Sequence, residues 1–258
     1  MKGQKTEYAT VYRVIDICNE ILSWILMVIL VCLFCYGTYG IGDSYVLEQD
    51  AMPQHDEVYR PTEEDSLSFE ELQAKNSDVC GWITIYGTHV DYPVVRGADN
   101  SVYLMRDPEG NYRMSGSIFM DCVNQREFTD FNTILYGHHM KSGQMFGSLS
   151  SYSDQSYCEK HPYIQFDTIY EKGLYEIMYV FRSRVYSEDE IVFKYYQFID
   201  AQSEQEFDSY MNDMAEMSLY DTGVTASFGD QLLTLSTCDY QEKNGRFVVV
   251  AKKVTTKE

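Results

Sequence analysis

Apolar and polar positions change rhythm along this chain, and each rhythm predicts a different kind of element. Residues 21–42 contain no charged side chain. As a helix rising about 1.5 Å per residue they span roughly 33 Å, close to the roughly 30 Å of membrane hydrocarbon. The stretch predicts a membrane helix. From Gly81 onward, short β-branched and aromatic runs are separated by turn residues, which is the texture of strands. Residues 82–86 and 90–95 read as a hairpin-like pair, with Pro93 suited to an edge because it lacks an N–H. Further strands are expected over residues 116–120, 132–136, 145–149, 163–166, 173–185, 192–193, 232–240 and 247–251, and a helical turn over 100–104. Many short strands predict an antiparallel barrel or sandwich. Residues 203–219 interrupt them: Phe207, Tyr210, Met211, Met214 and Met217 recur near helical spacing among acids, as in an amphipathic helix.

The organisation follows. Residues 1–20 form a short cytoplasmic segment, helical by the spacing of Val11, Val14, Ile15 and Cys18, and residues 21–42 the anchor. Residues 43–61, polar and acidic with Pro53 and Pro61, form a linker, and residues 62–258 the folded domain. That domain opens on a helix capped by Ser66 or Ser68, with Glu70 and Glu71 in its first turn. A cleaved signal peptide competes with the anchor. Its apolar core would be shorter and followed by an Ala-x-Ala-like site, whereas Gly37-Thr38-Tyr39-Gly40 is the nearest approach. Lys2, Lys5 and Arg13 precede the helix, and five acids follow it before Arg60, which puts the long C-terminal part outside the cytoplasm.

Charge narrows the partners. With 40 acids against 20 Lys and Arg, the net charge of -20 disfavours nucleic acid or anionic lipid as partner of the external part. An acidic surface also aids solubility, which is reason enough for it. Seven cysteines are present, three of them (Cys18, Cys32, Cys35) in or beside the apolar helix. Cys80, Cys122 and Cys158 read as small buried hydrophobes, and Cys32-x-x-Cys35, lying inside the apolar run, reads as helix packing rather than as half of a metal or redox site.

The candidate chemistry lies in one strand. Leu233, Leu235 and Thr237 alternate with Thr234, Ser236 and Cys238, so Ser236 and Cys238 share a face. Asn244-Gly245 then turns the chain so that Arg246 returns toward Cys238. Upstream, the strand over residues 132–136 runs into Gly137-His138-His139-Met140. Alone, Cys238 reads as a structural cysteine and Arg246 as an exposed residue at a strand start. Together with a histidine they make an acyl-transfer set: a thiolate nucleophile, a cation for the oxyanion and a proton donor for the leaving amine. His138 and His139 point to opposite faces of an extended chain, and the pattern alone does not choose between them. Asp239 falls on the face opposite Cys238, which disfavours a triad role.

Thr234-Leu235-Ser236-Thr237-Cys238-Asp239-Tyr240 followed by Gly245-Arg246-Phe247-Val248-Val249-Val250-Ala251, with Asn132-Thr133-Ile134-Leu135-Tyr136-Gly137-His138-His139-Met140-Lys141 about a hundred residues upstream, resembles a class B sortase over about residues 69–253. The resemblance implies a mainly β fold: an eight-stranded sortase-type barrel with an N-terminal helix and an inserted helix before the Cys strand. It implies Cys238 as nucleophile, His138, directly after Gly, as catalytic histidine, and Arg246 as the third catalytic member. Ser236, Asn100 and Leu104 match positions that contact substrate. The implied reaction is transpeptidation: cleavage after Thr in a C-terminal signal similar to Asn-Pro-x-Thr-x on a secreted protein, then transfer to an amine of a peptidoglycan precursor or cross-bridge. No metal or organic cofactor is required.

Alternatives are a pilin-polymerising class B sortase with a subunit lysine as acceptor, and a zinc-binding or adhesin ectodomain without enzymatic activity. Zinc sites need three or four well-placed ligands, and the external part has no Cys-x-x-Cys pair. A papain-like hydrolase is disfavoured because His precedes Cys here. His55, His89 and His161 match no motif and read as surface residues.

Overall fold

The computed structural model describes residues 2–51 and 67–255. The chain divides into two compact units, Met1–Leu47 and Glu48–Glu258.

The first lies within one helix, α1 (Lys2–Ala51), whose stretch Ile15–Asp43 has a mean hydropathy of 2.4 and buries none of its apolar window within the protein. It is long and apolar enough to cross a membrane. The expected linker is helical as far as Ala51, and the rest of it lies outside the described residues. The physical reason is local: no Pro or Gly intervenes between Gly42 and Ala51.

In the second unit α2 (Leu67–Lys75) takes in Ser68, so Ser68 is not its cap, and Ser66 lies outside the described residues. Strands β1 (Val79–Thr84), β2 (Asp91–Val95), β3 (Ile118–Met120), β4 (Asn132–Tyr136), β5 (Tyr163–Thr168), β6 (Lys172–Arg184), β7 (Leu232–Asp239) and β8 (Gly245–Lys253) close into a barrel in the order β1-β2-β3-β4-β7-β8-β6-β5. Closure leaves no open edge, the standing liability of β-proteins. Two neighbouring pairs, β2–β3 and β4–β7, are parallel, where an antiparallel barrel was expected. Pro93 fits because β3 reaches only Val94 and Val95, so no second strand asks Pro93 for an N–H.

The alternation read from sequence sets the layers. Leu233, Leu235, Phe247, Val249 and Ala251 point into the barrel with Ile83, Phe146, Ile164 and Val180, all 1% exposed or less. Val248 and Val250 point outward, under a second layer of Phe181, Tyr195, Phe198, Phe207, Met211 and Met214. That layer is held by α4 (Glu204–Met217), capped by Ser203, whose hydroxyl accepts from the Glu206 N–H at 3.2 Å. A shorter helix, α3 (Gln155–Lys160), precedes β5.

Residues 145–149 are not a strand. Met145 has φ 51°, Phe146 N–H donates to His138 O at 3.0 Å, and a 3-10 helix runs over Gly147–Ser153. Gly147 packs so closely on the Met140 backbone that no Cβ fits there, which forces the turn. Residues 192–193 form no strand either, lying in the connection between β6 and α4.

Candidate active site

Three adjacent strands build the site. In the antiparallel β7–β8 ladder Cys238 stands directly opposite Arg246, so their side chains leave the same face. In the parallel β4–β7 ladder Tyr136 stands beside Ser236. The pairing continues one residue further: Gly137 N–H donates to Ser236 O at 3.2 Å, and Thr237 Oγ1 donates to Gly137 O at 2.8 Å. Following that register one more step sets His138 beside Cys238, on the face of Cys238 and Arg246. Ser183 of β6, opposite Arg246, completes the row, its hydroxyl buried without a partner among the described residues.

Glycines make the approach possible. A Cβ at Gly137 would overlap Ile118 and Phe146, so the residue before His138 must be bare for the chain to pass over the core. The β7–β8 connection is longer than a two-residue turn. Asn244 takes φ 58°, a conformation Asn tolerates, and a Cβ at Gly245 would lie 2.5 Å from Asp239 O.

All six residues singled out from the sequence, Cys238, His138, Arg246, Ser236, Asn100 and Leu104, line one cleft of about 280 Å³. Its apolar walls are Phe119, Tyr136, Val185, Tyr195 and Tyr196. Cys238 is half-buried, and Sγ makes no hydrogen bond among the described residues. Arg246 spends Nη1 on the carbonyls of Gly245 at 2.9 Å and Asn244 at 3.5 Å, and has no carboxylate partner among the described residues. Its charge is therefore left for the cleft. His138 Nε2 lies 2.7 Å from Leu104 O; a carbonyl only accepts, so the proton here is on Nε2. Leu104 thus enters through its backbone as well as through its exposed side chain.

The polar groups of the cleft are tied to buried ones. Ser236 Oγ shares a 2.7 Å hydrogen bond with the Tyr195 hydroxyl. Burial pushes Tyr195 up to about 12, against the opposing Ser236 hydrogen bond and Arg246 charge. Asn100 donates to Asp121 Oδ2 at 3.1 Å and accepts from Cys122 N–H at 2.8 Å. Tyr136 donates to the same carboxylate oxygen at 2.8 Å, and burial followed by the Asp121 charge raises the tyrosine strongly. Asp121 thereby clamps two walls together.

The remaining candidates lie elsewhere. Asp239 accepts from Arg182 Nε at 2.9 Å and is not among the residues lining the cleft. His139 leaves by the other side, edge-on to Tyr240 at 5.4 Å. His161 is half-buried rather than superficial, because its Nδ1 lies 2.9 Å from Tyr86 O and its ring 4.5 Å from Tyr157; His89 is exposed, and His55 lies outside the described residues. Cys80 and Cys158 are buried free thiols, burial pushing Cys80 up to about 12, but Cys122 is only half-buried. Among the described residues no three His, Cys, Asp or Glu side chains converge as a metal site. Sequence reasoning missed Tyr195, Asp121 and the Leu104 carbonyl. The first two carry no local motif, and the third is backbone.

A family model for the sortase domain matches residues 83–254. Sortase B of Staphylococcus aureus is 37% identical over 206 residues, 79% of each chain. Sortase B of Listeria monocytogenes is 36% identical over 191 residues, 72% of this chain and 73% of that one. A solved Staphylococcus aureus sortase B–substrate complex superposes with a TM-score of 0.67 at 33% identity, covering 86% of this chain and 99% of that one. Clostridium perfringens sortase B gives 0.66 at 30% identity, covering 73% and 100%.

Proposed function

The chain belongs to the sortase family as a class B sortase, a cysteine transpeptidase acting on surface proteins, and from that premise we propose which residues do the work and what they join. Cys238 Sγ, as thiolate, attacks the carbonyl carbon of the scissile peptide. A C–S bond forms and the carbonyl electron pair moves onto oxygen. Arg246, with its charge unspent on any carboxylate among the described residues, stabilises that oxyanion. His138, as imidazolium, gives its proton to the leaving nitrogen as the C–N bond breaks. The acyl group remains as a thioester on Cys238. An incoming amine attacks it, passes its proton to His138, and releases the thiolate with a new amide bond. Moving the imidazole onto the leaving nitrogen means releasing it from Leu104 O.

We assign the donor as a C-terminal sorting signal similar to Asn-Pro-x-Thr-x, cleaved after Thr. An apolar, aromatic cleft of about 280 Å³ with a few hydrogen-bonding groups suits a short extended peptide. Ser236, Asn100 and Leu104 are its contacts. The acceptor is a peptidoglycan amine, and α1 anchors the domain at the outer membrane face where such an acceptor is met, with the basic flank inside. The observation that carries this reading is that His138, just past β4, shares one cleft with Cys238 of β7 and Arg246 of β8.

Mass spectrometry on the full chain in detergent micelles, with sorting-signal peptides and an amine, tests it. A thioester on Cys238 and an amine-ligated product are expected, both lost in Cys238→Ala, with ligation lost in His138→Ala. Glycine or diaminopimelate peptides as preferred amines support a cell-wall acceptor; a lysine peptide preferred over both replaces it with a pilin subunit. No adduct from a folded protein sinks the assignment of Cys238.

A further inference from the structure

His139, singled out with His138 but unused by the chemistry above, opens onto a second cavity. It measures about 430 Å³ and is bounded by residues 87–89 between β1 and β2, by residues 139–143 after β4, and by the start of the Gly147–Ser153 helix. Its wall carries Lys141, His89 and His139, five Ser and Thr hydroxyls, and no Asp or Glu. In a chain where acids outnumber Lys and Arg 40 to 20, that is a local reversal of sign. Lys141 makes no ion pair among the described residues, and His89 makes no hydrogen bond there. His139 Nδ1 and Ser148 Oγ are sealed behind that wall without a partner among the described residues, which costs stability. The rim is shaped for access: Gly143 has φ 85°, and a Cβ there would come within 3.1 Å of His89 Nδ1.

We propose that this cavity is a second binding site, for a ligand bearing a carboxylate or phosphate group. Lys141 supplies the charge, His89 supplies a ring N–H donor, and the accessible hydroxyls of the wall complete the set. The volume falls in the range that holds a small ligand or the end of a larger one. Because His138 and His139 are consecutive, the occupant braces the reverse side of the segment that carries His138 to Cys238. The proposal does not depend on the acyl-transfer assignments, since binding here is separable from turnover.

Calorimetric titration of the full chain in neutral-detergent micelles tests it, with inorganic phosphate, N-acetylglycine and N-acetylglycinamide as probes. Saturable one-to-one binding of phosphate or N-acetylglycine is expected, with none for the uncharged amide. Lys141→Gln combined with His89→Gln should weaken binding at least roughly tenfold, as loss of charge-assisted hydrogen bonds does, and Lys141→Glu should abolish it. Cys238→Ala and Arg246→Ala should bind as the parent does. Tighter binding of phosphate identifies a phosphate-bearing ligand and of N-acetylglycine a peptide carboxylate; either supports the site. Absence of saturation by both anions, equal binding of the amide, or loss in Arg246→Ala rather than in the Lys141 variants overturns it. Both Lys141 and His89 are exposed, so unchanged melting temperatures should accompany every variant.

Discussion

Arg246 and Phe247 are neighbours on β8, yet they belong to different parts of the molecule. Phe247 is 1% exposed inside the barrel, with Leu235 and Val249 around it. Arg246 faces the cleft beside Cys238, anchored among the described residues through backbone carbonyls. One side chain is committed to the fold and contributes nothing to chemistry; the other keeps its charge available and contributes little to packing. A period of two residues separates stability from reactivity on a single strand, so each can change without the other.

The sharpest break of that comparison is Phe247→Ala. Loss of a buried aromatic and the cavity left behind should cost about 3–5 kcal/mol of stability in denaturant melts, while ligation per folded molecule should stay near that of the parent. Next is Arg246→Ala, which removes the proposed oxyanion donor. It should slow thioester formation by roughly 10²–10³-fold in stopped-flow assays and leave the melting temperature nearly unchanged. If both variants lose stability equally, the separation of faces is wrong. The smallest effect belongs to Tyr195→Phe, where outer packing meets the cleft. Losing the hydrogen bond to Ser236 should cost about 0.5–1.5 kcal/mol at neutral pH.

That last variant also has a pH signature. Tyr195 is raised by burial from 10.0 to about 12 in the folded chain, so it favours folding below pH 10 and loses that contribution as pH rises through about 12. Stability of the parent should therefore fall over that window more steeply than that of Tyr195→Phe.

Much of this was legible before any coordinates. β7 and β8 announce themselves by alternation, α4 by its Phe207, Met211 and Met214 stripe. Cys238 and Arg246 are near in sequence, joined by a connection that Asn244-Gly245 marks. His138 needed the family resemblance, because a parallel pairing of β4 with β7 is a non-local fact that neither strand encodes alone. Local pattern failed at residues 145–149, where apolar residues suggested a strand. A close backbone approach at Gly147 and a left-handed Met145 impose a tight turn instead. The Tyr136–Asp121–Asn100 clamp was likewise hidden, since its members span residues 100–136 and meet only in three dimensions.

The placement of β7 between β4 and β8 sets a clock on the enzyme. During synthesis the N-terminal helix α1 is made first, and β7 and β8 are the last strands of the described barrel to emerge. Until they do, the barrel stands open between β4 and β6, His138 has no neighbour across the ladder, and Cys238 has not been translated. The thiol proposed as nucleophile therefore appears only as the final gap closes, and a chain that stops before Cys238, near the end of β7, lacks it.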